Sequence, residues 1–145
     1  MSALIFVYGT LKQGFPNYPR NGGRRLPGDF RTLQPYPLYV VQLPNEDRAP
    51  WLMHQPGHGK TVTGQVFEVD EGLLQAMDAF EEVGLPQGYV RMTVDLEALH
   101  APGRRIASYA YVKLEHQLAE CLAIEGPFAE YTLELASGYR LELDL

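Results

Sequence analysis

The hydrophobic pattern of the chain begins with an unbroken apolar run over residues 3–8, which ends at a glycine. β-Branched and aromatic residues dominate the run, and such runs are typical of strands that are buried on both faces. Gly9 can adopt backbone dihedral angles closed to other residues, and it lets another molecule approach the backbone closely. The pattern therefore predicts a rigid strand that presents the N–H groups of an exposed turn. An ordinary turn without a function is the alternative.

This glycine turn lacks the features of a nucleotide-binding motif. Gly9 and Gly14 have the glycine spacing of a P-loop, but Phe15 and Pro16 follow where a P-loop requires Lys and then Ser or Thr. The sequence also contains no G-x-G-x-x-G fingerprint of a dinucleotide site. A phosphate-binding loop of either kind is therefore excluded.

Several later segments alternate or cluster apolar residues in the manner of strands. Strands are predicted at residues 37–43, 49–53, 61–69, 89–96 and 105–112, with shorter pieces near 30–33 inside a long surface loop over 13–37. Most of these segments follow one another without an intervening helix. The order predicts an α+β protein with a closed or highly curved mixed sheet, in a single domain spanning residues 1–145.

The clearest helix is predicted over residues 71–82. Asp70 occupies the position of an N-cap, and Gly84 and Pro86 end the helix. The apolar residues at helical spacing within it are Leu73, Leu74, Met77 and Phe80. Two weaker helices are predicted over residues 113–122 and 128–135.

Composition and charge restrict the class of protein. Apolar residues make up 46% and charged residues 21% of the 145 residues, as in ordinary globular proteins. No apolar stretch approaches the ~18 residues of a membrane span, and the first residues do not form a secretory signal. Cys121 is the only cysteine, so an internal disulfide is impossible. These features predict a soluble protein of the cytoplasm without a membrane partner.

The net charge of −6 argues against nucleic acid as a partner, because phosphate binding needs a basic field. The cations nevertheless cluster near the beginning of the chain, whereas acidic residues dominate its last thirty residues. The early cations are Lys12, Arg20, Arg24, Arg25 and Arg31. They either attract an anionic substrate or pair with the acidic C-terminal part.

Glu81 is the strongest candidate for chemistry. Leu74, Met77 and Glu81 stand at i, i+3 and i+7, so the carboxylate occupies the core-facing stripe of the predicted helix. Burial and the negative end of the helix dipole both raise the pKa of such a carboxyl toward neutrality, where it can take and return a proton. The alternatives are a side chain that reaches solvent past Gly84 or one that pairs with Arg91.

Other reactive residue types have weaker contexts. Cys121 has no nearby histidine in sequence and is predicted to be a buried packing residue. His54 and His58 are four residues apart, but the Pro-Gly pair between them prevents a zinc-binding helix, so no metal site is predicted. Ser108 and Ser137 lack the glycine elbow of a hydrolase nucleophile.

Residues 6–14 together with Asn17 closely resemble the Y-G-[TS]-L-x-x-G-x-x-N opening of the γ-glutamylcyclotransferase-like proteins, and the γ-glutamylamine cyclotransferase branch is nearest. The resemblance covers about residues 4–112. Its further matching segments are 35–38, 50–52, 64–70, 77–81 and 89–91. The tail over 131–145 matches only loosely, through Gly138–Arg140, the segment that caps the pocket in this branch.

The resemblance implies a compact mixed β-barrel with flanking helices and an enzyme that needs no metal or cofactor. In the implied reaction, the α-amine of a γ-glutamyl compound attacks its own γ-carbonyl, which forms pyroglutamate and releases an amine. Glu81 would act as the general acid and base. Substrate-binding residues implied by the matching segments are Tyr8, Gly9, Thr10, Leu11 and Tyr89. A non-catalytic module that binds small molecules on the same barrel is the alternative.

Overall fold

The computed structural model describes residues 2–44 and 48–137, apart from the side chain of Arg20. Within this part, the strands are β1 (Ser2–Val7), β2 (Arg24–Arg25), β3 (Phe30–Thr32), β4 (Leu38–Gln42), β5 (Ala49–Leu52), β6 (Thr63–Asp70), β7 (Val90–Ala98), β8 (Arg105–Val112) and β9 (Ala123–Glu125). The α-helices are α1 (Glu71–Phe80) and α2 (Leu133–Ala136). Short 3-10 helices span Tyr18–Arg20 and Glu115–Glu120.

Five strands close into a ring. β1 pairs in parallel with β8 and antiparallel with β6, and the circuit returns to β8 through β3 and β7. β2 adds a short antiparallel pairing to β6, whereas β5, β4 and β9 form a separate three-stranded sheet. The parallel pair within an otherwise antiparallel ring makes the sheet mixed. The predicted α+β fold with a closed mixed sheet is therefore confirmed.

β1 is buried on both faces, as its uniform apolar run predicts. Phe6 points into the interior of the ring, where it joins the largest cluster of buried side chains. Ile5 and Val7 alternate to the outer face, where they pack with Met77 of α1. This double burial fixes the end of β1, and it brings α1 onto the same strand that leads into the glycine turn.

The helix predictions need correction at their ends. α1 stops at Phe80 instead of residue 82, because Glu82 adopts a left-handed φ of 57°. Asp70 does cap the start of α1, accepting a hydrogen bond from the Leu73 N–H at 2.7 Å. No helix among the described residues is long and apolar enough to cross a membrane.

The two weaker helices are shorter than predicted. A helix cannot begin at Lys113, because its N–H donates to the Leu52 carbonyl and its carbonyl accepts from the His54 N–H. Only the 3-10 helix Glu115–Glu120 forms in that segment. Residues 128–131 are not helical, since the Phe128 N–H donates to the Leu38 carbonyl and the Ala129 carbonyl accepts from the Thr63 N–H. The last helix is therefore the four-residue α2.

Candidate active site

A cavity of about 870 Å³ opens where the end of β1, the end of α1 and the end of β8 meet. All six residues that the sequence nominates contribute to its wall: Tyr8, Gly9, Thr10, Leu11, Glu81 and Tyr89. Residues more than seventy positions apart in the chain are therefore brought together in one site.

The turn after β1 is held by hydrogen bonds to its carbonyls and to the Thr10 hydroxyl. The backbone N–H of the buried Asn17 donates to the Thr10 carbonyl at 2.8 Å, and its side-chain amide donates to the Thr10 hydroxyl at 2.9 Å. Within residues 2–44 and 48–137, no hydrogen bond uses the backbone N–H of Thr10 or Leu11. These two donors are thus available to an anionic group in the cavity.

Gly9 is required by close packing in this turn. A Cβ at this position would lie 2.7 Å from Cγ of Pro50 in β5, which is closer than two carbon atoms can approach. The glycine therefore allows the turn to sit directly against β5.

The hydroxyl of Tyr8 is hydrogen-bonded to backbone groups of β8 and β5. It donates to the Tyr111 carbonyl at 2.6 Å and accepts from the Leu52 N–H at 3.4 Å. Burial raises the pKa of this phenol far above its ordinary value, so the hydroxyl stays protonated. Tyr8 consequently offers the cavity its ring and backbone, while its hydroxyl anchors the turn to β5 and β8.

Glu81 follows the last turn of α1 and is partly buried in the cavity wall. Its N–H donates to the Met77 carbonyl at 2.9 Å, which fixes its backbone on the helix end. The pKa of the Glu81 carboxyl is raised to about 7, chiefly by burial; Lys113 opposes the shift and the nearby Glu82 adds to it. A carboxyl with this pKa is well suited to exchange protons near neutral pH.

Asp78 fixes the last turn of α1 to strands β7 and β8. One of its carboxylate oxygens accepts from the Tyr111 hydroxyl at 2.7 Å, and the other accepts from the Arg91 guanidinium at 2.6 Å. Arg91 therefore pairs with Asp78, and the alternative in which it pairs with Glu81 is wrong. Since Asp78 precedes Glu81 by one turn, this double contact also orients the candidate catalytic residue.

The Asp78→Asn variant is expected to lower the free energy of unfolding by about 1 kcal/mol, because the amide retains a hydrogen-bond acceptor but loses the charge opposite Arg91. The modest size reflects partial exposure of both side chains. Urea unfolding measures the loss. The control is Glu68→Gln, which breaks the exposed pair with Arg24 and should cause no measurable change. Equal losses in the two variants would contradict the special position of Asp78.

The sequence reasoning missed Lys113, whose buried ammonium lies in the cavity wall. The sequence predicts it as the first residue of a helix, whereas it continues the extended backbone after β8. The available signal was alternation: Tyr111 and Lys113 are two residues apart on an extended segment, and both line the cavity.

Most of the early cations pair with acids close to them in the fold. Ion pairs join Arg24 to Glu68, Arg25 to Asp29, and Arg31 to Glu97. Lys12 is the cation whose contacts match the predicted pairing with the C-terminal part: its ammonium donates to the Tyr131 carbonyl at 2.5 Å and lies 4.0 Å from Glu130. The side chain of Arg20 is outside the described part.

The remaining sequence candidates lie elsewhere or have structural roles. Cys121, predicted as a buried packing residue, is partly buried at the end of a 3-10 helix and packs against the cluster around Trp51. The Ser108 hydroxyl donates to the Tyr109 carbonyl at 3.1 Å. His54 and His58 belong to no cluster of three potential metal ligands among the residues described. Residues 138–140, predicted to cap the pocket, are outside the described residues.

The family described as γ-glutamyl cyclotransferase, AIG2-like, matches residues 5–128, which is most of the chain. The chain belongs to this family. The family assignment agrees with the fold, since an AIG2-like protein from Mus musculus has a crystal structure that is similar with a TM-score of 0.72 and 32% identity. That similarity covers 96% of this chain and 94% of the mouse protein.

Curated relatives support the prediction of an enzyme of the γ-glutamylcyclotransferase type. The gamma-glutamylaminecyclotransferase of Homo sapiens is 42% identical over 108 residues, which is 70% of this chain and 67% of the human protein. Gamma-glutamylaminecyclotransferase B of Danio rerio is 40% identical over 114 residues, or 75% of this chain and 57% of the fish protein. The chain thus aligns with between about half and two thirds of the length of these two relatives.

Proposed function

We propose that this protein is a cofactor-free γ-glutamyl cyclotransferase that converts a γ-glutamylamine or a γ-glutamyl-amino acid into pyroglutamate and a free amine. One observation carries the proposal: the Glu81 carboxyl, with a pKa of about 7, shares a cavity with the glycine turn of residues 8–11. The names of the human and fish relatives support the substrate class.

Glu81 acts first as a general base in this mechanism. The α-ammonium of the substrate must lose a proton before its nitrogen can attack, and the ionised carboxylate accepts that proton. The nitrogen then bonds to the γ-carbonyl carbon of the same molecule, which gives a five-membered ring and a tetrahedral oxyanion. Because the two reacting groups belong to one chain, fixing the reactive rotamer supplies much of the acceleration.

The turn after β1 stabilises the negative charge. The backbone N–H groups of Thr10 and Leu11 donate to the oxyanion or to the α-carboxylate of the substrate. The C–N bond to the leaving amine then breaks, and the protonated Glu81 returns its proton to that nitrogen. The regenerated carboxylate accepts the second proton that the ring nitrogen must lose to become the lactam N–H, and this proton passes to the released amine. Pyroglutamate and the protonated amine leave with no net change in the protein.

The activity is tested by incubating the protein with γ-glutamyl-ε-lysine and with a panel of γ-glutamyl dipeptides, and by measuring pyroglutamate with mass spectrometry. Pyroglutamate from at least one compound, at a rate proportional to protein concentration, is the expected result. Binding without product across the whole panel would overturn the proposal in favour of the non-catalytic binding module.

The pH dependence of kcat/KM should show an acid limb with an apparent pKa near 7. Glu81 must be ionised in the free enzyme to accept a proton, and burial raises its pKa from 4.5 to about 7. The rate should therefore fall about tenfold for each pH unit below 7. Initial rates between pH 5 and 8 measure the limb. A limb near pH 4.5, the ordinary value for a glutamate, would contradict the assigned environment of Glu81.

A further inference from the structure

Lys113 is a buried cation that the mechanism above does not use. Its side chain is 4% exposed and lines the same cavity as Glu81. Its backbone is fixed on both sides, by the Leu52 carbonyl at 2.8 Å and the His54 N–H at 2.9 Å. A buried ammonium is costly unless it is hydrogen-bonded and compensated, so its partners indicate what it does.

The ammonium of Lys113 reaches across the cavity wall to the loop over residues 82–88. It donates to the Gln87 carbonyl at 2.6 Å. It also lies 4.6 Å from the ring centre of Trp51 and 4.4 Å from that of Tyr89. Two aromatic faces and a carbonyl oxygen offset part of the lost hydration and keep the positive charge in one place.

The loop held by Lys113 begins directly after Glu81. Its two ends are joined because the Tyr89 N–H donates to the Glu81 carbonyl at 2.9 Å. Gln117, four residues after Lys113, donates its side-chain amide to the Gly88 carbonyl at 3.0 Å. The Gln117 amide also donates to the Pro86 carbonyl at 3.3 Å. The segment after β8 therefore holds the loop at three consecutive carbonyls, and the loop carries the backbone that follows Glu81.

The charge of Lys113 also matters because the cavity is otherwise acidic. The titratable groups that line it besides Glu81 and Lys113 are Glu82, His116 and Glu120, together with the phenols of Tyr8, Tyr89 and Tyr111. Lys113 attracts the Glu81 carboxylate and so lowers its pKa, in opposition to burial and to Glu82. The thiol of Cys121 lies in the field of the same ammonium.

We propose that Lys113 is a positioning residue for Glu81, acting through a tether on the loop over residues 82–88 and through a positive charge placed near the carboxylate. The consequence for the reaction rests on the proposed function, whereas the effect on Glu81 does not. The charge of Lys113 increases the ionised fraction of the Glu81 carboxyl, which is the form that acts as a base. The tethered loop holds the Glu81 side chain toward the cavity.

Two substitutions separate the tether from the charge. Lys113→Gln can still donate to the Gln87 carbonyl but carries no charge, whereas Lys113→Arg keeps the charge. Carboxyl signals of ¹³C-labelled glutamate, with Glu81 assigned through Glu81→Gln, report the pKa of Glu81 in the unliganded protein. We expect Lys113→Gln to raise this pKa by about one unit and Lys113→Arg to leave it nearly unchanged. Lys60→Gln, which removes an exposed lysine, is the control and should have no effect.

A measurement on the unmodified chain keeps the test decisive if Lys113→Gln fails to fold. The ¹⁵N signal of the Lys113 ammonium should move with the same midpoint as the Glu81 carboxyl. The proposal would be overturned if the chemical shift of the Lys113 ammonium stayed constant while Glu81 titrates. An unchanged Glu81 pKa in folded Lys113→Gln would also overturn it.

The pH dependence of the enzymatic activity is the second measurement. The acid limb of kcat/KM should move upward by about one pH unit in Lys113→Gln and stay in place in Lys113→Arg. Lys113→Met, which loses both tether and charge, should show a larger fall in kcat than Lys113→Gln. An unmodified chain that forms no pyroglutamate but shows the expected pKa changes would refute the proposed function and leave the role of Lys113 standing.

Discussion

The Glu81→Gln variant is expected to release pyroglutamate at least about 100-fold more slowly than the unmodified protein while folding normally. The amide has nearly the shape of the carboxylate, but it cannot accept the proton of the α-ammonium or return it to the leaving amine. Binding should be affected much less, because the N–H groups of residues 8–11 remain in place. A fall in kcat with a small change in KM is therefore the expected pattern.

The matched control is Glu71→Gln, at the opposite end of the same helix. Glu71 is the first residue of α1 and is exposed, so its substitution removes one negative charge from α1 without touching the cavity. Initial rates on the best γ-glutamyl substrate compare the two variants. If Glu81→Gln retains a rate within a few-fold of the unmodified protein, Glu81 is not the general base.

Local sequence patterns predicted the two halves of the candidate site for different physical reasons. β1 was predictable because a strand buried on both faces has to be apolar at every position, and Gly9 marks its end. Glu81 was predictable because its spacing from Met77 places it toward the core. That reasoning assumed a helix to residue 82, whereas Glu81 follows the last helical residue. The direction of the side chain is nevertheless as predicted, because the Glu81 N–H donates to the Met77 carbonyl and so continues the helical hydrogen-bond pattern by one residue.

The parts that could not be predicted depend on contacts between distant segments. Lys113 enters the site through hydrogen bonds to residues that are far away in sequence, Leu52 and Gln87. The alternation of Tyr111 and Lys113 is the one local signal of this position, and the distant partners leave no trace in the neighbouring sequence. The non-helical path of residues 128–131 likewise depends on the Leu38 carbonyl, which offers the backbone a better partner than an isolated helical turn.

Competition between charge and burial at Glu81 also has a consequence for stability. A pKa raised from 4.5 to about 7 means that the folded protein holds the proton more tightly than the unfolded chain does. Below pH 4.5 the carboxyl is protonated in both states and its contribution to stability is fully present. As the pH rises through 7 this contribution is lost, because the folded state must then bury a charge.

Glu81→Gln is therefore expected to be more stable than the unmodified protein at pH 8, by roughly 3 kcal/mol, and to show little advantage at pH 4. The figure follows from the raised pKa and is an upper value, since water reaches part of the side chain. Urea unfolding of both proteins at several pH values measures the difference, in which the titrating groups that do not interact with Glu81 cancel. The gain should grow between pH 4.5 and 7 and then stay constant. A difference that is independent of pH would show that Glu81 ionises as freely as an exposed glutamate, and general-base catalysis near neutrality would lose its physical basis.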